Sequence, residues 1–187
     1  MLDDTTLGSL AARSVGGDRE ALDQLLRELR PAVVRVARLV VGPGSPAAED
    51  AAQEALLDLT RGISTLRDAS SVRTWALRIS ARRATKVARR ERLLGRAVPA
   101  APSGGSDAET VGLRRELRAA FYALPPRMRA VAVLRLYAGA SEDETAAVLG
   151  CSVGTVKSQL HDARARLAKS LRAAGVEVPS AERSLSP

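Results

Sequence analysis

The chain has 187 residues, of which 29 are Lys or Arg and 21 are Asp or Glu, giving a formal net charge of +8. Apolar residues make up 45% and charged residues 27%, a balance typical of a globular chain and not of a disordered one. A single Cys and a single His exclude an internal disulfide framework and argue against a zinc site, which takes about four such ligands.

The sequence also contains no signal for a membrane. No stretch approaches the roughly 20 uninterrupted apolar residues of a transmembrane helix. The first four residues, Met-Leu-Asp-Asp, are acidic and lack the apolar segment of a secretory signal. We therefore expect a cytoplasmic protein with no membrane insertion.

Every apolar periodicity in the chain is helical, which predicts an all-α fold of two small domains joined by a linker. Asp18 is the predicted cap of a first helix, and Pro31 is predicted to begin a second helix that ends at the Gly- and Pro-rich residues 42–46. A third helix is expected over 47–59, a loop over 62–70 and a fourth helix over 71–92. The first domain is placed at 16–97.

Composition changes at residues 98–112, which are rich in Pro, Gly, Ser and Ala and are predicted to be a flexible linker. The second domain is placed at 113–174, with helices over 113–123 and 127–137. A capping-box sequence at Ser141 and Glu144 begins the next helix, which ends at Gly150, and the last helix begins near Val153. Residues 175–187 are predicted to be a frayed tail.

Residues 145–161 have the spacing of a helix-turn-helix, with Ala146 small enough for two helices to approach and Gly150 suited to a left-handed turn. Apolar residues recur at helical spacing from Val156 to Leu167, so the opposite face of this helix is expected to be exposed. The alternative is an ordinary helical hairpin with solvated charges. The exposed face could enter a DNA major groove with Thr155, Lys157, Ser158, His161 and Arg164.

Positive charge is concentrated in residues 67–98, which hold ten basic side chains against Asp68 and Glu91. A basic face on the fourth helix could lie along a phosphate backbone, although a solvated helix or one lying on an anionic membrane has the same pattern. Trp75 is interpreted as a core residue. The candidate DNA-binding side chains of this helix are Arg78, Arg82, Arg83, Lys86, Arg89 and Arg90.

The third helix is acidic in its first half. Its side chains could hold a metal only with a further carboxylate or His from elsewhere, which the sequence does not supply, so neither a metal nor another cofactor is expected. Because no Walker-type loop, dinucleotide fingerprint or Ser-His-Asp set is present, we do not expect an enzyme. A protein-docking or solvated face is expected instead, formed by Glu49, Asp50, Gln53 and Glu54.

Four runs, at 48–57, 72–79, 124–131 and 150–161, together resemble bacterial RNA polymerase sigma factors of the sigma-70 family, extracytoplasmic-function (ECF) class. The resemblance covers residues 16–172. It implies that the acidic helix docks on the clamp helices of the polymerase β′ subunit and that the basic helix works at the promoter's minus-ten element. The second domain would read the minus-thirty-five element and touch the β flap. The alternative function is that of a stand-alone helix-turn-helix transcriptional regulator.

The resemblance also implies a mechanism based on binding, with catalysis left to the polymerase. The loop at 62–71 would capture one unstacked base of the non-template strand. Relatives are usually held inactive by an anti-sigma protein. Many carry Asn where Arg82 stands, a difference that bears on melting of the minus-ten element. In the recognition helix of the second domain, relatives are often basic at the positions of Gln159 and Asp162, so we expect an unusual minus-thirty-five preference or weaker affinity from this domain.

Overall fold

The computed structural model describes residues 3–42, 44–95 and 113–176, and of residues 113 and 114 the backbone alone. Every regular element within these ranges is helical, which confirms the all-α prediction. The predicted linker at 98–112 and the tail beyond residue 176 lie outside the described residues.

The first bundle contains four helices, α1 (Asp4–Val15), α2 (Arg19–Val41), α3 (Pro46–Gly62) and α4 (Val72–Leu93). Two short 3₁₀ turns, Ile63–Thr65 and Ala69–Ser71, lie in the connection between α3 and α4. Small side chains at helical spacing let α2, α3 and α4 approach closely, because there is little volume between their backbones. The fully buried members include Val33, Val36, Ala37, Ala51, Ala55, Ala76, Ala81 and Ala84.

The prediction that a helix begins at Pro31 is wrong, since α2 runs through this residue without ending. Proline lacks an amide hydrogen, so the fourth residue before it loses a hydrogen-bond partner. Pro31 is exposed, whereas buried residues such as Leu25, Leu29, Val33 and Val36 continue on both sides of it. Burial of one uninterrupted apolar face therefore outweighs the lost hydrogen bond.

Helix α1 was not predicted, although its signals are present in the sequence. The Asp3 carboxylate accepts a hydrogen bond from the Thr6 amide at 2.9 Å and caps the helix. Leu7, Leu10 and Ala11 follow at core spacing and are buried. The first bundle thus begins near residue 4.

The second bundle is formed by α5 (Leu113–Ala123), α6 (Pro126–Ala132), α7 (Glu142–Leu149) and α8 (Val153–Ala173). Helix α6 continues into a π-helical turn, Val133–Tyr137, so the predicted helix over 127–137 changes its hydrogen-bonding pattern midway. The predicted apolar stripe of α8 is buried from Val156 to Leu167. The two bundles pack against each other, because buried residues of both form one contiguous cluster.

Replacing Pro31 with Ala is expected to stabilise the protein. The alanine amide restores a backbone hydrogen bond inside α2, and its helix propensity is far higher, so the free energy of unfolding should rise by about 1–3 kcal/mol. Urea unfolding followed by circular dichroism measures this change, with Arg30→Ala as the control for an exposed alanine in the same helix. A decrease in stability would mean that α2 needs the proline.

Candidate nucleic-acid interface

A continuous basic face lies on α4. Four of the predicted DNA-binding side chains recur at intervals of four, three and one residues, which places them on one side of the helix. All four are exposed, and none forms an ion pair within the part of the chain that the structure describes. This α4 face consists of Arg82, Lys86, Arg89 and Arg90.

Arg83 is directed into the contact with α3. Its guanidinium donates hydrogen bonds from Nε and Nη2 to the Asp58 carboxylate, with Nη2 at 2.6 Å, and Nη1 lies 3.4 Å from Glu54 Oε2. Hydrogen bonding to Asp58 raises the pKa of Arg83. The structure therefore does not bring Arg83 together with the other four basic residues.

Arg78 lies between the two bundles. Its Nη2 donates to the Gly139 carbonyl at 2.7 Å, and its Nη1 lies 3.1 Å from Glu144 Oε1 at the start of α7. The Nε atom is buried with no hydrogen-bond partner among the described residues. The first of the predicted DNA-binding arginines is thus engaged in a contact between domains.

The predicted docking side chains of α3 divide into paired and unpaired ones. Glu49 accepts a hydrogen bond from Arg38 of α2 at 2.6 Å, and Glu54 is in loose contact with Arg83. Asp50 and Gln53 are exposed and form no ion pair or hydrogen bond within the described ranges.

A leucine that the sequence analysis missed lies on the same side of α3. Leu57 is 53% exposed. It follows Asp50, Gln53 and Glu54 at the spacing of one helical face. An exposed apolar side chain rimmed by polar ones is typical of a protein-binding surface. We refer to Asp50, Gln53, Glu54 and Leu57 as the α3 face.

The helix-turn-helix has the local geometry that its sequence predicts. The Glu144 amide donates to Ser141 Oγ at 3.1 Å, and the Ser141 amide donates to Glu144 Oε2 at 2.6 Å, so the capping box is formed. Gly150 has φ 62° and ψ 49°, the left-handed conformation that ends α7. Ser152 then caps α8 by accepting from the Thr155 amide at 3.2 Å.

Helix α8 turns its polar side toward solvent. Lys157, Ser158, His161 and Arg164 are exposed, whereas Thr155 is half-buried and shares a hydrogen bond with Ser152 at 2.9 Å between their hydroxyl oxygens. The Lys157 ammonium lies 3.6 Å from Glu142. Asp162 is also exposed, one helical turn after Ser158, so a negative charge lies on the same side as these cations.

Arg129 of α6 is the one charged side chain that is buried among the described residues, with an exposure of 5%. Its guanidinium lies 5.7 Å from the centre of the Tyr122 ring and donates to the Tyr122 carbonyl at 3.3 Å. Burial lowers the pKa of Arg129 and raises that of Tyr122. Arg129 therefore joins α5 to α6 and is not available at the surface.

The described ranges contain neither a membrane-spanning helix nor a cluster of metal-binding side chains. Within residues 3–42, 44–95 and 113–176, no helix has both the length and the apolar character needed to cross a membrane. The same ranges hold no cluster of three or more His, Cys, Asp or Glu side chains suited to a metal ion.

Acidification is expected to weaken the start of α7 and its contact with Arg78. The hydrogen bond from the Ser141 amide is the main reason that the pKa of Glu144 lies below its ordinary value of 4.5. A carboxyl whose pKa is lowered by folding contributes stability above its unfolded-state pKa, and that contribution is lost as the pH falls through the folded-state pKa. Thermal unfolding measured from about pH 6 to about pH 3 should therefore depend less on pH in Glu144→Gln than in the wild type.

The matched control for this measurement is Asp143→Asn. Asp143 is an exposed carboxylate in the same first turn of α7, and it forms no ion pair within the described ranges. Its removal changes the charge of the helix start without removing the capping box. A pH profile of Glu144→Gln that matches the wild-type profile would contradict the prediction.

Comparison with known proteins gives a consistent family. Residues 25–93 match sigma-70 region 2, and residues 114–167 match sigma-70 region 4. The ECF RNA polymerase sigma factor SigD of Mycobacterium tuberculosis is 34% identical over an alignment of 186 residues. The match covers 90% of this chain and 85% of SigD. SigM of the same species is 35% identical over 167 residues, which cover 87% of this chain and 83% of SigM.

A solved structure shares the fold. The sigma factor RpoE of Bartonella quintana, in complex with the anti-sigma factor NepR, matches with a TM-score of 0.57 and 23% identity, covering 80% of this chain and 96% of that one. Both sigma-70 regions are therefore matched in this one chain, and the match covers most of the length of SigD and SigM. The chain belongs to the sigma-70 family, in its extracytoplasmic-function class of RNA polymerase sigma factors.

Proposed function

We propose that this chain binds core RNA polymerase and directs it to promoters by reading their minus-ten and minus-thirty-five elements. The observation that carries the proposal is the presence of three separate exposed surfaces, the α3 face, the α4 face and the polar side of α8. A stand-alone regulator is not favoured, because sigma-70 region 2 is matched as well as the helix-turn-helix region.

The α3 face is the proposed contact with the clamp helices of the polymerase β′ subunit. Asp50 and Gln53 are unpaired in the described ranges and can meet cationic or polar groups without first breaking a contact. Leu57 adds exposed apolar area to such an interface. Glu49 is already paired with Arg38, so we assign it a smaller part in docking.

The α4 face is the proposed contact with DNA at the minus-ten element. Four unpaired cations on one side of a helix can neutralise successive phosphates, which releases counterions and favours binding at low salt. The loop at 62–71 precedes α4 and is the proposed site for one unstacked base. The contribution of the protein would be binding energy that stabilises separated strands, while the polymerase performs the chemistry.

Helix α8 is the proposed reader of the minus-thirty-five element. Lys157, Ser158 and His161 are exposed near its N-terminal half, the part of a recognition helix that reaches base edges. Arg164 would contact a phosphate further along the helix. We further propose a cytoplasmic location and an anti-sigma protein as a partner, as for the relative that was solved with one.

Binding of both elements requires the two bundles to separate. The elements lie about 25 base pairs apart, or about 85 Å of duplex at roughly 3.4 Å per base pair. A compact body of this size has a diameter of only about 40 Å. The contact of Arg78 with Glu144 and Gly139 must therefore open on the promoter, which frees Arg78 to join the neighbouring α4 face.

Reversing the charge of Asp50 tests polymerase docking. Asp50→Lys should weaken binding to core polymerase by at least tenfold, about 1.4 kcal/mol, because it places a cation where an anion contacts the clamp. Transcription from a promoter library by reconstituted polymerase should fall in parallel. Asp23→Lys, at an exposed position on α2, is the control for charge reversal.

Tight binding to duplex DNA without any promoter-specific transcript from the wild type would instead favour the stand-alone regulator.

Truncating Arg89 tests the α4 face. Arg89→Ala should weaken binding of the polymerase holoenzyme to all promoters alike and reduce the slope of log affinity against log salt by about one unit, because one phosphate contact is lost. Titrations at several KCl concentrations measure the slope. Arg27→Ala removes an exposed arginine of α2 and should leave it unchanged. An unchanged slope in Arg89→Ala would show that this side chain does not contact DNA.

A further inference from the structure

Helix α1 packs on the loop that precedes α4. Gly8 faces the 3₁₀ turn Ala69–Ser71, and a Cβ atom added to Gly8 would lie 3.6 Å from both the Ala69 carbonyl oxygen and the Ser70 Cα. A methyl group would fit there in ordinary van der Waals contact, whereas a branched side chain would press on the loop backbone. The backbone of α1 therefore supports the loop directly.

A second contact ties the start of α1 to the end of the same loop. Arg73, in the first turn of α4, donates from Nε to Asp4 Oδ1 at 2.6 Å. The Arg73 side chain is only 24% exposed, while that of Asp4 is 72% exposed. Asp4 can consequently be replaced without disturbing the core, although its partner lies in a largely closed environment.

The shape of the loop is set by its own hydrogen bonds. The Asp68 carboxylate accepts from the Ser70 amide at 2.9 Å and from Ser70 Oγ at 2.7 Å. Ser71 Oγ donates to the Asp68 carbonyl at 2.8 Å. These bonds define the turn, but they do not position it against the bundle. That positioning comes from two residues of the loop itself, Ile63 and Leu66, whose side chains are buried, and from α1 beside it.

We infer that α1 is a positioning element for single-strand capture, in which Gly8 and Asp4 hold the loop at 62–71 ready to receive an unstacked base of promoter DNA. This inference rests on the proposed function of the loop. A loop that is already ordered does not have to lose conformational freedom when the base binds, so more of the contact energy appears as affinity. Displacing the loop should therefore weaken capture while the α3 face and α8 remain intact.

The test uses polymerase holoenzyme reconstituted with each variant and short single-stranded oligonucleotides carrying the minus-ten sequence of a promoter recovered from the library. Each nucleotide is replaced in turn by an abasic site. We expect the wild type to lose about tenfold in affinity when the captured base is absent. Gly8→Val should bind the intact oligonucleotide about tenfold more weakly and should no longer distinguish it from the abasic one.

Matched variants separate positioning from helix stability. Valine has a slightly higher helix propensity than glycine, so weaker helix formation does not explain a loss in Gly8→Val. Ser9→Val places the same side chain at an exposed position of α1 and should behave as wild type. Gly8→Ala should remain within about twofold, since its methyl group fits. Asp4→Ala should lose part of the discrimination, and Asp4→Glu should restore it.

The outcomes distinguish the inference from the function on which it rests. A wild type with no base-sensitive position would remove base capture by the loop and the role of α1 with it. A wild type with such a position, together with full discrimination in Gly8→Val and Asp4→Ala, would overturn the role of α1 alone. If Gly8→Val unfolds on thermal melting, the comparison of Asp4→Ala with Asp4→Glu decides, because Asp4 lies outside the core.

Discussion

The ion pair between Arg83 and Asp58 is the interaction on which the charge pattern of the first bundle depends. It lies where the acidic helix α3 meets the basic helix α4, and Glu54 flanks it at 3.4 Å. Because the pair is half-buried, it is screened less than a surface contact would be. One residue from each helix is used to join them. The charges that stay exposed and unpaired in the described ranges, Asp50 on α3 and the four cations of the α4 face, can serve two different partners.

The contact between the two bundles engages a second arginine of α4 that could otherwise bind DNA. Arg78 precedes the α4 face by one helical turn, yet its guanidinium binds Gly139 and Glu144 of the second bundle. A phosphate and the Glu144 carboxylate cannot occupy the same guanidinium edge, so DNA contact by Arg78 and closure of the two bundles are alternatives. The buried Nε without a partner makes the closed contact less favourable than a fully hydrogen-bonded one.

Prediction from sequence succeeded where the determining signals are local. The capping box, the left-handed Gly150 and the stripe of α8 depend on neighbours within one or two turns, and these were correctly predicted. The helix start at Pro31 failed because a local rule competed with burial on both sides of the residue. The contact of Arg78 with Glu144 joins residues far apart in the chain, so no periodicity could reveal it. The contact of Arg83 with Asp58 was equally hidden, since Arg83 lies seven residues before Arg90 and only about 20° from it around a helix.

A buried arginine and an exposed leucine show that burial, and not residue type, decides which side chains are available to a partner. Arg129 is a cation, but its burial against Tyr122 makes it part of the core of the second bundle. The net charge of +8 includes this buried arginine and therefore overstates the charge that is available to DNA. Leu57 is apolar, but its exposure beside Asp50 and Gln53 makes it part of a surface. A buried charge and an exposed leucine are each informative because they go against the usual partition. The sites of this protein are therefore defined by which side chains the bundles leave uncovered, and only the packing of the helices determines that.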